Sequence, residues 1–220
     1  TLSDLARQRQ LVILLLLTHC INAEGRDLKV LENNHFEIVG EDMVSLNYLD
    51  DLSSIVSKSV YEYLYFDSHN YNKKILVQLI NREGRNPYFV DQSNLGFVTL
   101  NLYWTENLDV YHTIEGLVAS VLKSYFYSVF GINNYEIINS KNWPVKALVY
   151  DIYAKINPLY VNHLLRKNNV LLNLEQLINN DYLDLYNDSS ISYYRFFLYL
   201  KSLDINYLDK ASLLRGSLMG

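Results

Sequence analysis

A single cysteine, at position 20, stands among 220 residues, so the chain closes no disulfide on itself and its stability must come from core packing and hydrogen bonds. Only three prolines and eight glycines interrupt it, too few for a flexible linker or a low-complexity stretch. No run of Lys or Arg marks a groove for phosphates, and a net charge of −5 spread over 19 basic and 24 acidic residues is a weak field. Nucleic acid is therefore not an expected partner. Glycine-rich phosphate loops are missing as well, because Gly84 and Gly96 stand alone and neither precedes a Lys-Ser/Thr pair at a strand-to-helix turn.

Half of the positions are apolar, enough to build one sizeable core. Twenty tyrosines are the most conspicuous excess; an AT-rich coding sequence would produce the same bias, so the tyrosines as a class are given no functional weight. At the N-terminus Arg7 and Arg9 precede the apolar run LVILLLL (11–17), and THCINA leads on to Glu24. That order of basic, apolar and small-residue segments reads as a secretory signal, residues 1–23, cleaved after Ala23, in preference to a buried helix. The run is too short to span a bilayer, so no stable membrane span is expected after cleavage. Thr18 and His19 are larger than the residues that precede a lipidated cysteine. Export also takes Cys20 away with the signal, and residues 24–220 are expected to form a single domain.

Period-2 and period-3.6 patterns divide that domain. HFEIVG (35–40) alternates like a strand, and residues 44–66 place Leu46, Leu49, Leu52, Ile55, Val56, Val60 and Leu64 at helical spacing. KKILVQLIN (73–81) and LGFVTLNLYW (95–104) read as two adjacent strands separated by a loop, NREGRNPY, with its breakers Gly84 and Pro87. The helical period then takes over. Thr105 is a candidate cap for a helix with Glu106 and Asp109 in its first turn, running through Leu108, Ile114, Leu117, Val118, Val121, Leu122 and Tyr125 to a stop at Gly131. Pro144 opens another helix, ended at Asn157-Pro158, and LYVNHLLRKN, LNLEQLIN and ISYYRFFLYLKSL follow as further helices. Strands first and helices later predict an α+β fold: a small mixed sheet packed on one long helix, then a mostly helical C-terminal half.

This arrangement resembles the gluzincin superfamily, the thermolysin-like or peptidase MA-like zinc peptidases, over about residues 33–203. The elements that carry the resemblance are HFEIVG, KKILVQLIN, NLGFVTLNLYW as an edge strand, the helix holding IEGLV, and then NWPVKALVYDIYA, LNLEQLIN and SYYRFFLYL. In that family His-Glu-x-x-His sets two imidazoles on one helix face around zinc, the Glu activates the bound water, and a Glu from a later helix completes the ligands. Matched to that motif, Glu115 stands at the general-base position, Ile114 and Val118 at the two histidine positions, and Tyr150 or its neighbour Asp151 at the third ligand. Ile and Val have no lone pair to offer a metal.

The resemblance thus implies an exported, catalytically inactive peptidase-like domain, without metal or cofactor, acting as a binding or structural module. Its family accepts extended peptides along the edge strand, which implies a peptide or protein partner at 95–104. The alternative is a hydrolase with a displaced site. HTIEG differs from the inverted motif His-x-x-Glu-His by Gly116 in place of the second His, so His112 and Glu115, with Asp151 or Tyr150, are its candidates. Against that stand simpler readings: His112 and Glu115 as a hydrogen-bonded, metal-free polar pair at the edge of the helix, and Glu115 as either a relic of the peptidase site or a solvated or Lys-paired carboxylate. His35, His69 and His163 have no ligand spacing, Ser192 has no nucleophile elbow around it, and Trp143-Pro144 reads as an aromatic at a helix start.

Overall fold

The computed structural model describes residues 27–64, 74–81, 86–93, 96–104, 109–130, 143–167 and 189–202. The expected signal (1–23), His69, Gly84 and the helix at LNLEQLIN lie outside the described residues. The fold is α+β. Its elements are β1 (Lys29–Glu32), β2 (Phe36–Gly40), α1 (Met43–Leu64), β3 (Ile75–Asn81), β4 (Tyr88–Gln92), β5 (Val98–Trp104), α2 (Val110–Phe130), α3 (Trp143–Ile156), α4 (Pro158–Lys167) and α5 (Ser189–Ser202).

The strands form one mixed sheet in the order β1-β2-β3-β5-β4. β2, β3 and β5 run parallel, and an antiparallel strand flanks them on each side. Alternation in the sequence becomes burial on one face: Phe36 and Ile38, Ile75 and Val77, Val98, Leu100 and Leu102 all point into a shared core. Asn33 shapes the turn between β1 and β2, its Oδ1 accepting from the N–H groups of His35 and Phe36 at 2.9 and 2.8 Å. The same side chain donates to Asp50 and Ser53 on α1, which fixes the hairpin against that helix.

Two strands escaped the sequence reading, and one of them corrects it. Residues 88–92, inside what read as a loop, form β4 and pair antiparallel with β5. The expected edge strand at 95–104 is therefore interior, held by β3 on one side and β4 on the other, and no extended partner has access to its edge. The reversal is made at Ser93, whose carbonyl accepts from Gly96 N–H at 2.9 Å. Gly96 has φ +78°, and a Cβ there would lie 2.0 Å from the Tyr127 ring, so only glycine fits.

α1 begins where Asp42 caps it, accepting from the N–H and hydroxyl of Ser45 at 2.9 and 2.6 Å. Leu46, Leu49, Leu52, Val56 and Val60 form its buried stripe, whereas Ile55, expected among them, is 40% exposed because the neighbouring Val56 occupies the core side. Asp109 caps α2 at Val110, its Oδ1 accepting from the N–H groups of Tyr111 and His112, while the expected cap Thr105 lies outside the described residues. α2 is buried on several sides, with Ile114, Leu117, Val118, Val121, Leu122, Tyr125 and Phe126 all in the core. Gly116 lets it approach the sheet, since a Cβ there would come within 2.9 Å of Leu100 and 3.1 Å of Tyr88. Asn157 separates α3 from α4, its side chain accepting from Tyr160 N–H with Pro158 in the first turn. No helix among the described residues is long and apolar enough to cross a membrane.

Candidate functional site

Glu115 is the residue that the peptidase pattern singles out, and it lies where α2 faces β4 and α3. Its side chain is buried and accepts a hydrogen bond from the Tyr88 hydroxyl. Burial raises its pKa above the ordinary glutamate value, while His112, the Tyr88 bond and the charge of Lys146 pull the other way and Asp109 adds to the rise. Tyr150 on α3 lies against Tyr111 on α2, their ring centroids 5.3 Å apart, and the charge of Lys146, one turn before Tyr150, reaches Glu115.

Ile114 and Val118 flank Glu115 in sequence and have no exposed surface at all. They are core side chains. The half-buried ring of Tyr150 is tilted against Tyr111 at 5.3 Å and stacked on Tyr194 at 6.0 Å, extending an aromatic row from α2 through α3 to α5. His112 does not turn to Glu115 for a partner: its Nδ1 meets Asp109 Oδ2 at 2.6 Å. For Asp109, burial raises the pKa, but the bonds from the side chain and backbone of His112 outweigh it and leave the carboxyl below its usual value.

Asp151 belongs to a different cluster. It is 5% exposed and accepts from Tyr63 on α1 at 2.5 Å and from Tyr194 on α5. Lys155, one turn further along α3, is 3.9 Å from the same carboxylate and donates to Ser59 of α1 at 2.9 Å. Burial first, and then the Asp151 charge, push the Tyr194 phenol up to about 12 and that of Tyr63 further still, so both remain donors across the working pH range. This cluster ties three helices together and turns its carboxylate toward α1 and α5.

The other sequence candidates are dispersed. His35 packs edge-on against Tyr61 at 5.1 Å, His163 lies on the exposed side of α4, and Ser192 is in α5. Among the described residues no group of three His, Cys, Asp or Glu side chains is placed to hold a metal ion. Tyr88, Lys146, Tyr63 and Lys155 were not visible as site residues in the sequence, because each meets its carboxylate from another element or as one lysine on an ordinary helix face. The only local signal was the i, i+4 spacing of Asp151 and Lys155.

The fold and these clusters define an α+β domain with a mixed sheet, an antiparallel strand beside a buried helix, and a buried carboxylate on that helix. No family model, curated protein or solved structure matches the chain.

Proposed function

We propose that the chain is an exported, non-catalytic, peptidase-like module that serves recognition or support. The observation that carries this reading is the pair Ile114 and Val118, both fully buried on α2 at the positions where the resemblance puts zinc ligands. Neither carries a donor atom, so the residues present do not fit a zinc ion. With no metal beside it to acidify a water, Glu115 has no nucleophile to activate. Tyr88 holds the carboxylate instead, and apolar packing joins the helices that a metal would otherwise link. The strand running beside α2 also supports the reading, as does the order of a sheet followed by helices. A peptide or protein is the class of partner that such a module would meet, at a surface other than the edge of β5.

Metal content decides the matter most directly. Protein purified without chelator or added zinc is expected to carry zinc far below stoichiometry by mass spectrometry. About one zinc per chain would overturn the reading and make His112, Glu115 and Asp151 the first residues to mutate.

One observation favours the alternative, a hydrolase with a displaced site. Glu115 is a buried carboxylate with a raised pKa, a tyrosine donor and a nearby histidine and lysine, which is the setting of a general acid or base. If that reading holds, any hydrolysis by the purified chain disappears in Glu115→Gln, since an amide cannot accept the proton. Full activity in that variant removes Glu115 from the chemistry.

A further inference from the structure

α1 buries one side against the sheet and α2 and leaves the opposite side in solvent. Asn47, Asp51, Ser54, Ile55, Lys58 and Glu62 are all exposed, and their steps of three and four residues set them on one face. Val44 continues that face toward the start of the helix and is 76% exposed. Ile55, which the period of the sequence assigned to the core, stands in its middle. Asp51 and Lys58 are two turns apart, about 10 Å along the axis, so their charges do not meet within one chain.

This face is complementary to itself. Reversing the helix about the midpoint between Ser54 and Ile55 exchanges Asp51 with Lys58, Asn47 with Glu62 and Ser54 with Ile55. The members of each pair lie equally far from that midpoint, about 5 Å for Asp51 and Lys58 and about 11 Å for Asn47 and Glu62. An antiparallel second helix would bring each carboxylate level with an ammonium or an amide and oppose no like charges. Ser54 is small enough to leave room for the Ile55 side chain opposite it. A two-fold interface requires this property, because one patch must fit its own copy.

We propose that the outer face of α1 pairs with the same face of a second copy of this chain, the two helices antiparallel about a two-fold axis between Ser54 and Ile55. Two ion pairs between Asp51 and Lys58, one on each side of the axis, set the register, and the two Ile55 side chains cover each other at its centre. One helix from each chain makes the contact, so it belongs with the small, weak interfaces, with a dissociation constant on the order of 100 μM. The pairing is independent of the peptidase reading, since none of its residues belongs to the Glu115 cluster.

Sedimentation velocity over a concentration series reaching about 1 mM tests the pairing. The unsubstituted chain is expected to shift from monomer to dimer within that range. Asp51→Lys and Lys58→Asp each oppose like charges twice per dimer and should weaken association about tenfold or more. The double variant restores both pairs in reverse, and its dissociation constant should return to within about threefold of the unsubstituted one. Ile55→Arg sets two guanidinium groups on the axis and should abolish the dimer. All three positions are exposed, so the variants are expected to fold, with circular dichroism of the same samples as the check. An unsubstituted chain that stays monomeric at the top of the series overturns the proposal, and this arm needs no variant. A dimer that the single reversals leave intact, that the double variant fails to recover, or that survives Ile55→Arg overturns it equally.

Discussion

The hydroxyl of Tyr63 donates to Oδ2 of Asp151 at 2.5 Å, joining the last turn of α1 to the middle of α3. Tyr194 brings α5 to the same carboxylate, so one buried charge organises three helices. Tyr63→Phe is expected to cost about 1.5–3 kcal/mol, the usual worth of a hydrogen bond to a charged group, read as a lower urea midpoint. Asp151→Ala should cost more, because it leaves two phenols without their acceptor.

Ile114→His places an imidazole where the chain now has a fully buried aliphatic side chain. The loss of that packing and the burial of a polar ring together should lower stability by about 3 kcal/mol without creating hydrolytic activity. Denaturant unfolding and a peptide-cleavage assay on the same preparation check both halves. Unchanged stability would mean that position 114 is not the packed site described above.

The raised pKa of Glu115 sets the sign of a pH effect. The folded state holds this proton more tightly than the unfolded chain, so its contribution is fully present below the ordinary glutamate value and is lost as pH rises through the folded one. Glu115→Gln, which keeps the shape and removes the titration, should flatten that loss. Thermal unfolding from about pH 4 to pH 7 in both chains makes the comparison.

His35 acts at the other end. Burial lowers its pKa from 6.5, so the folded state prefers the neutral ring packed against Tyr61. Stability from this residue is present above pH 6.5 and is lost as pH falls below that value, when the unfolded chain takes up the proton first. His35→Leu should be less sensitive over the same interval, measured by thermal unfolding at a series of pH values.

β2, α1, β3, β5, α2, α3, α4 and α5 were legible in the sequence because each carries a period over enough residues to be distinguished from chance. β4 was not. Its five residues follow a proline and end in Asp-Gln, so local chemistry reads as a turn, and only the pairing with β5 reveals a strand. β1 is shorter still, with charged residues at both ends. Missing β4 also misplaced the edge of the sheet, since a strand's neighbours are a tertiary fact. The apolar identity of Ile114 and Val118 was plain from the helical spacing, and their burial follows it. The direction of Asp151 was hidden because Tyr63 lies on a helix remote in sequence, and no local pattern couples the two.

The sheet order has a kinetic consequence. Each margin of the sheet is a hairpin whose partners are close in sequence, β1 with β2 and β4 with β5. β3 joins the two halves through parallel ladders on both sides, and its pairing with β2 must wait until all of α1 has been spanned. Contacts between neighbours in sequence close quickly, whereas distant ones carry the loop-closure cost. The hairpins are therefore expected to close early, with the docking of β3 between them as the slower step, which stopped-flow refolding of variants in β3 and in the hairpins checks.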